Sequence, residues 1–269
     1  MTRDLHLSLR ITGLKPSATV EMTERVRQAR LAGAEIIGLS SGDPNAVTHP
    51  AIIEAAHRSL KDGETHYGPP PGKLALREAV ARCLSAESGV RYEPDQILVT
   101  PGGKFAVYAS ILAVVEPGDE IIVLEPGWVS YGPCVQMAGG VPVGVPTLDG
   151  VDPQRLAAAV TPRTKMIIVN SPVNPTGRII LKNELETILK TARENGIWIL
   201  FDEVYKSIVY EPALYTPMQA LDGALEHTFV VNSFSKTYGM TGWRIGYLAV
   251  PPGLAKSIQK ILQHSVYCV

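Results

Sequence analysis

The stretch FVVNSFSKTYGMTGWRIGY, Phe229 to Tyr247, joins two apolar runs through a segment rich in hydroxyls and glycines. Its first run carries no charge, as expected of a strand buried on both faces of a parallel sheet. Ser233, Lys236 and Arg244 follow that strand. In parallel sheets covered by helices, ligands bind beyond the carboxyl ends of the strands. The stretch therefore predicts both a buried sheet and a polar site at its edge.

The same alternation of runs extends over most of the chain. Short apolar runs such as MIIVN and IWILFD alternate with longer amphipathic runs, a pattern typical of an α/β sheet with helices on both faces. We predict a seven-stranded, mainly parallel sheet, with strands at residues 97–100, 120–124, 141–145, 165–170, 198–202, 229–233 and 245–250. Helices are expected at residues 19–31, 51–60, 73–87, 103–115, 152–160, 182–195 and 254–266.

The bulk composition argues against several classes of protein. The 25 Lys and Arg nearly cancel the 26 Asp and Glu, so we expect a small-molecule ligand and no nucleic-acid or membrane partner. Cys83, Cys134 and Cys268 lack CxxC spacing and are expected to be small core residues. The six histidines show no paired ligand spacing, so no metal site is expected. Without a long apolar run, the protein is predicted to be soluble and cytoplasmic.

The domain organisation follows from where the alternation begins. The 269 residues allow one large domain and part of a second. Residues 1–45 precede the alternation and are predicted to form an N-terminal arm and part of a small domain. The large domain is expected at residues 46–252, and residues 253–269 are expected to begin a helix that leads into the remaining small domain.

Polar residues follow several of the predicted strands. After ILVT comes PGGKF, whose glycines and helix start offer backbone N–H groups suited to a phosphate, although such turns also occur without a ligand. Asn174 follows the strand MIIVN, in the loop SPVNPTG. Asp202 closes the strand IWILFD, with Tyr205 one turn beyond it. A buried carboxylate is costly unless it meets a cation or several donors, but an aspartate there could also cap a helix.

Lys236 completes this set of strand-end residues. A lysine at this depth would be partly deprotonated, as an amine must be to react with an aldehyde; the alternative is a solvated surface lysine. The strand ends together offer a phosphate cradle, a carboxylate, a phenol, an amine and an arginine. Pyridoxal 5′-phosphate requires all five. Asp202 about 4 Å from its pyridine nitrogen would contribute roughly 4 kcal/mol at a dielectric of about 20, which keeps that nitrogen protonated.

The order of the motifs resembles one known family. SGDPN, HYGPPPGKLALREAV, TPGGKFAVY, EPGWVSY, NSPVNPTG, FDEVY and SFSKTYGMTGWRIGY follow one another along the chain. In these motifs the chain resembles the fold-type I, class I/II aminotransferases, especially the bacterial aspartate aminotransferase-like branch, over essentially its whole length. The last motif is highly specific, whereas the glycine turns alone are not.

The resemblance implies a role for each matching position in binding pyridoxal phosphate. Lys236 corresponds to the catalytic lysine that holds the cofactor's aldehyde and moves protons, and Asp202 to the partner of the ring nitrogen. Tyr205, also implied as catalytic, and Asn174 would hydrogen-bond the 3′-oxygen, while Trp128 would stack on the ring. The phosphate is implied to bind residues that offer N–H groups, a hydroxyl or a cation: Gly102, Gly103, Lys104, Ser233 and Arg244.

Substrate and partner contacts are implied in the same way. Gly42 matches the glycine whose backbone contacts the substrate α-carboxylate, and Trp128 and Asn174 are implied as further substrate contacts. Lys104 matches a lysine that, in one branch, pairs with the distal carboxylate of aspartate or glutamate. Tyr67 corresponds to the tyrosine that reaches the phosphate of the other subunit's cofactor. A homodimer with shared active sites is therefore implied.

The implied reaction is transamination between an L-amino acid and a 2-oxo acid. A non-catalytic cofactor-binding module and other reactions of the same cofactor, such as β-elimination or decarboxylation, stay open as alternatives. Family members are usually longer, and no arginine follows Arg244 to clamp the substrate α-carboxylate. We therefore expect a chain truncated at its C-terminus, with impaired turnover and with Ile258 and Leu262 exposed. The resemblance also implies cis peptide bonds before Pro126 and Pro175.

Overall fold

A mixed sheet forms the centre of the protein in the computed structural model, which describes residues 5–39 and 42–269. The seven strands of this described part are β1 (Ile97–Thr100), β2 (Glu120–Glu125), β3 (Val141–Pro146), β4 (Thr164–Asn170), β5 (Trp198–Asp202), β6 (Thr228–Ser233) and β7 (Gly246–Ala249). Their order across the sheet is β1-β7-β6-β5-β4-β2-β3. Neighbours are parallel except that β7 runs antiparallel to both β1 and β6. The predicted seven-stranded, mainly parallel sheet is confirmed.

The helices of the same described residues are α1 (Leu9–Thr12), α2 (Ala18–Leu31), α3 (Pro50–Lys61), α4 (Leu74–Ser88), α5 (Gly103–Val114), α6 (Tyr131–Met137), α7 (Pro153–Ala158), α8 (Lys182–Asn195), α9 (Phe234–Thr237) and α10 (Ala255–Gln263). Single 3₁₀ turns lie at Pro94–Gln96, Met218–Ala220 and Thr241–Trp243. The short helices α1, α6 and α9 were not predicted, because at most two turns leave too little periodicity to recognise. Among the described residues, no helix is both long and apolar enough to cross a membrane.

Helices cover both faces of the sheet, as predicted. Ile168 packs with residues of α5, α6 and α10, whereas its neighbour Ile167 packs with residues of α7 and α8 on the opposite face. Near β1, Leu84 of α4 packs with Val230 of β6. Successive strand residues point to opposite faces, so a strand covered on both sides must be apolar throughout.

The reversed strand β7 brings its amino end to the edge where β1 and β6 end. Gly246 pairs with Thr100, the last residue of β1, and with Ser233, the last residue of β6. A Cβ added to Gly246 would lie 2.7 Å from the backbone carbonyl carbon of Gly102, a distance that real Cβ atoms do not adopt. Glycine therefore allows β7 to approach the turn after β1, and Arg244 reaches the same edge of the sheet.

The described residues before α3 lie outside the core. Where side chains are described in 5–39 and 42–47, none is buried, and the first buried residue is Thr48. Residues 1–4 and 40–41 of the predicted N-terminal segment lie outside the described part. These observations do not test the predicted domain boundaries, which stay predictions.

Two expectations about individual residues are wrong. Ile258 and Leu262 are buried, because α10 lies back across α5 and β1 instead of exposing its apolar face. Of the cysteines, only Cys134 is buried, while Cys83 is exposed and Cys268 is half-buried.

The predicted cis peptide bonds before Pro126 and Pro175 are present. The bonds before Pro172 and Pro212 are also cis.

Replacing Leu262 by alanine tests whether α10 belongs to the core. Leu262 is fully buried, so we expect Leu262→Ala to lower the free energy of unfolding by about 2–5 kcal/mol. Lys256→Ala, at an exposed position of the same helix, should change it by less than about 0.5 kcal/mol. Urea denaturation of both variants measures the difference. Equal, small effects of the two changes would contradict the packing of α10.

Candidate active site

A cavity of about 170 Å³ opens at the edge of the sheet where β4, β5 and β6 end. The predicted site residues that line it come from six different segments of the chain. They are Gly103, Lys104, Trp128, Asn174, Asp202, Tyr205, Ser233, Lys236 and Arg244. The strand-end argument therefore brings together residues that are far apart in sequence.

Asp202 lies on the buried side of this cavity. It is only 4% exposed, and its Oδ2 accepts a hydrogen bond from the Tyr131 hydroxyl at 2.8 Å. Its Oδ1 accepts one from the backbone N–H of Val204 at 3.2 Å. Burial raises the pKa of Asp202 to about 6, although these two hydrogen bonds act in the opposite direction. A carboxylate with this environment is stabilised by a cation placed in the cavity beside it.

Two residues that were not predicted, Asn170 and Tyr131, support Asp202. Asn170 ends β4 beside Asp202 in the sheet register, and its Nδ2 donates to the Asp202 carbonyl at 2.9 Å. Its Oδ1 accepts from the backbone N–H of Asn174 at 2.7 Å. A polar residue closing a buried strand could have revealed Asn170, as it revealed Asp202. Tyr131 lies in α6, which is too short to give a periodic signal.

Tyr205 and Asn174 form a pair at the cavity wall. The Asn174 Nδ2 donates to the Tyr205 hydroxyl oxygen at 3.1 Å. Burial raises the pKa of the Tyr205 phenol, and the Asn174 hydrogen bond opposes that shift. The neutral phenol keeps its proton and can donate it in a hydrogen bond to an anionic oxygen.

The turn between β1 and α5 forms an anion-binding end of the cavity. Gly102 has a φ of +81° and precedes Gly103, where the N-terminus of α5 presents free N–H groups. A Cβ on Gly102 would lie 2.4 Å from the Arg244 Nη2, so glycine makes room for the guanidinium. Arg244 itself adopts a φ of 57°, and its Nη1 donates to the Thr241 carbonyl at 2.8 Å. The hydroxyl side chain of Ser233 also lines this cavity.

Lys236 lies in α9, directly after β6. Its Nζ donates to the Gly42 carbonyl oxygen at 2.6 Å and lies 6.0 Å from the centre of the Tyr205 ring. Burial lowers the pKa of Lys236; the Asp43 carboxylate opposes this shift, and the positive charge of Arg244 adds to it. A lowered pKa increases the fraction of neutral amine, the form that attacks an aldehyde.

Trp128 and Lys104 lie together at the cavity. The Trp128 ring meets the Tyr131 ring edge-on at a centroid distance of 5.3 Å, and the Lys104 Nζ lies 5.1 Å from the Trp128 centroid. Tyr67, another predicted site residue, does not line the cavity. It is 88% exposed, and its ring meets that of Tyr267 edge-on at 5.3 Å.

This set of groups fits pyridoxal phosphate. A buried anion lies at one side for the ring nitrogen, and N–H groups with a guanidinium lie at another for the phosphate. An amine of lowered pKa opens onto the same space for the aldehyde. The fold and the cavity together define the class of enzymes that use this cofactor.

Comparison with known proteins gives the family. Residues 34–268 match the family described as aminotransferase class I and II. A probable aspartate/prephenate aminotransferase of Thermus aquaticus is 42% identical over 263 residues, which cover 96% of this chain and 68% of that protein. The aspartate aminotransferase of Geobacillus stearothermophilus is 38% identical, with 97% of this chain and 68% of that protein covered.

Solved structures agree with these matches. Aspartate aminotransferase from Thermus thermophilus with maleate superimposes with a TM-score of 0.93 at 40% identity, covering 98% of this chain and 70% of that chain. The chain belongs to the class I and II aminotransferase family. It is a pyridoxal-phosphate-dependent aminotransferase, and this assignment is favoured over a non-catalytic module or another reaction of the cofactor.

Replacing Asp202 by asparagine should remove a pH dependence from the stability of the cofactor-free protein. The folded-state pKa of Asp202 is raised from 3.8 to about 6, so its contribution to stability is fully present below pH 3.8 and is lost as pH rises through about 6. Between about pH 4 and about pH 7, the free energy of unfolding of the parent should therefore fall by about 2–3 kcal/mol relative to Asp202→Asn. Urea denaturation of both proteins at the two pH values measures this change. A difference that does not vary with pH would contradict the assigned pKa.

Proposed function

We propose that this aminotransferase uses a dicarboxylic amino acid, aspartate or glutamate, as amino donor for a 2-oxo acid. The observation that carries the proposal is the position of the Lys104 ammonium, which lines the cavity and lies over the Trp128 ring. A cation placed there can pair with a second carboxylate on the substrate side chain. Relatives named as aspartate or aspartate/prephenate aminotransferases support the same substrate class.

The catalytic roles are proposed for three residues. When bound, pyridoxal phosphate withdraws electrons from the substrate Cα. Lys236 would accept the proton from that Cα at its Nζ and pass it to the cofactor carbon that carried the aldehyde, a role supported by its lowered pKa. Asp202 would keep the ring nitrogen protonated, because a buried anion stabilises a cation placed beside it. Tyr205 donates its phenol proton in a hydrogen bond to the 3′-oxygen.

The remaining residues are proposed to bind and orient the two ligands. Asn174 hydrogen-bonds the 3′-oxygen, and Trp128 packs on the ring. The Gly42 carbonyl oxygen accepts a hydrogen bond from the Lys236 Nζ. This position beside the proposed catalytic amine supports a contact between the Gly42 backbone and the substrate α-carboxylate. The groups proposed to hold the phosphate are the N-terminal N–H groups of α5 and nearby polar side chains: Gly102, Gly103, Lys104, Ser233 and Arg244.

We also propose a homodimer with shared active sites. Tyr67 is exposed and does not line the cavity described above. A tyrosine in this position is free to reach the cofactor phosphate of a second copy. For the compartment we propose the cytoplasm, supported by the free thiols Cys83, Cys134 and Cys268.

Replacing Lys236 tests the assignment of the catalytic amine. Sodium borohydride should attach pyridoxal phosphate to the parent protein, and mass spectrometry of its peptides should place the adduct on Lys236. Lys236→Ala should yield no adduct and should lose transamination, because its side chain has no amine. Lys260→Ala, a change of an exposed lysine outside the cavity, serves as the control and should keep the adduct. A reduced adduct of equal yield in Lys236→Ala would refute the role.

Replacing Lys104 tests the substrate class. Lys104→Met removes the cation but keeps an unbranched side chain over Trp128. We expect the KM for aspartate and glutamate to rise about tenfold or more, equivalent to about 1.4 kcal/mol or more. With pyridoxal phosphate added to saturation, so that a lost phosphate contact of Lys104 does not empty the site, the KM for alanine should stay within about twofold of the parent value, because alanine has no second carboxylate to pair with that charge. Equal changes for all three amino acids would exclude the proposed pairing.

A further inference from the structure

The hydroxyl of Thr48 joins two parts of the chain that are far apart in sequence. Thr48 is 7% exposed and lies just before α3. Its Oγ1 donates a hydrogen bond to the Gly239 carbonyl oxygen at 2.6 Å. The same oxygen accepts a hydrogen bond from the Trp243 Nε1 at 3.1 Å. One buried hydroxyl therefore bridges two groups of a single loop.

That loop connects the two proposed cofactor-binding cations. Gly239 and Trp243 both lie between Lys236 and Arg244. Gly239 has a φ of +61°, and a Cβ added to it would lie 2.5 Å from the Ala46 carbonyl oxygen. The residue must therefore be glycine both for its conformation and for the close approach of the two backbones. The segment before α3 packs directly on the loop at this point.

The other end of the same segment reaches the cavity. The Gly42 carbonyl oxygen accepts the hydrogen bond from the Lys236 Nζ at 2.6 Å, and a Cβ on Gly42 would lie 3.3 Å from the Tyr205 hydroxyl. Residues 42–49 form no helix or strand. Because the segment has no helix or strand hydrogen bonds of its own, its position depends on the contacts that it makes with the loop and with Lys236.

We propose that Thr48 is a positioning residue, which fixes residues 42–48 to the loop between Lys236 and Arg244 and thereby holds Gly42 at the substrate side of the cavity. The inference rests on the proposed role of Gly42 in substrate binding. Thr48 does not line the cavity described above; it acts through the backbone of the segment that it anchors. Loss of its hydroxyl leaves the Gly239 carbonyl and the Trp243 indole without their partner.

Two substitutions at Thr48 separate the hydroxyl from the shape of the side chain. Thr48→Val keeps the branched shape and removes the hydroxyl, whereas Thr48→Ser keeps the hydroxyl. We expect Thr48→Val to raise the KM for the amino-acid substrate about tenfold, the effect of losing roughly one to two hydrogen bonds. Its dissociation constant for pyridoxal phosphate should rise by a smaller factor than the KM, because most of the proposed phosphate groups lie at the end of β6 and the start of α5, and only Arg244 adjoins the anchored loop. Thr48→Ser should match the parent in both quantities.

A second measurement reports on the hydrogen bond without any activity. The indole ¹⁵N–¹H signal of Trp243, identified by its absence in Trp243→Phe, should exchange with water at least about tenfold faster in Thr48→Val than in the parent. It should be unchanged in Thr48→Ser, and the Trp198 signal should be unchanged in both variants. An unchanged Trp198 signal would exclude a general loss of stability. Faster exchange at Trp243 alone would then report on its hydrogen bond to Thr48.

The outcomes distinguish this inference from the proposed function. An unchanged KM in Thr48→Val, or equal changes in Thr48→Val and Thr48→Ser, would overturn the positioning role. A weakening of cofactor binding equal to that of substrate binding would also overturn it, because it would indicate a general structural effect. If the parent showed no activity towards aspartate or glutamate, the proposed function would fail, while the indole exchange would still decide whether Thr48 holds the loop.

Discussion

The burial of one carboxylate is the constraint on which the cavity depends. Asp202 closes the central strand β5, and its side chain receives hydrogen bonds from a phenol and a backbone amide, both neutral groups. These donors do not offset the cost of burial, since the pKa of Asp202 still rises to about 6. The fold therefore provides an anion that a cationic ring nitrogen stabilises. The supporting residues Tyr131 and Asn170 fix the direction in which that anion is presented.

The reversal of β7 explains how an arginine reaches a site built from strand ends. If β7 were parallel to its neighbours, the residues before it would lie at the opposite edge of the sheet. Because it is antiparallel, Arg244 precedes the strand and still lies beside the turn at Gly102, where α5 begins. The guanidinium and the helix N-terminus thus face the same space, and Gly246 allows the close approach that places them there.

The strands were predictable because burial on both faces leaves an unbroken apolar run. Polar residues marked where the strands end: Asp202 and Ser233 close β5 and β6, and Asn174 lies in the loop after β4. The direction of β7 was not predictable, since a short apolar strand has the same pattern in either orientation. The burial of Leu262 depends on how α10 lies against α5, a contact that sequence periodicity does not encode. Likewise, the link from Tyr131 to Asp202 joins residues with no pattern between them. Local sequence thus predicted the strands, the longer helices and most residues of the candidate site. Long-range contacts determine the direction of β7, the burial of Leu262 and the link from Tyr131 to Asp202.

Burial shifts the pKa values of Asp202 and Lys236 in opposite directions, and both shifts bear on the same cofactor. Removing a charge from water disfavours its ionised form, so burial raises the pKa of the acid and lowers that of the amine. For Lys236 this is directly useful, because the neutral amine is the nucleophile. For Asp202 the anion is the useful form, and a cation placed beside it lowers its pKa and favours that form. A cavity that desolvates both residues therefore favours a ligand with an aldehyde at one position and a protonated nitrogen at another, and it disfavours an anion placed against Asp202.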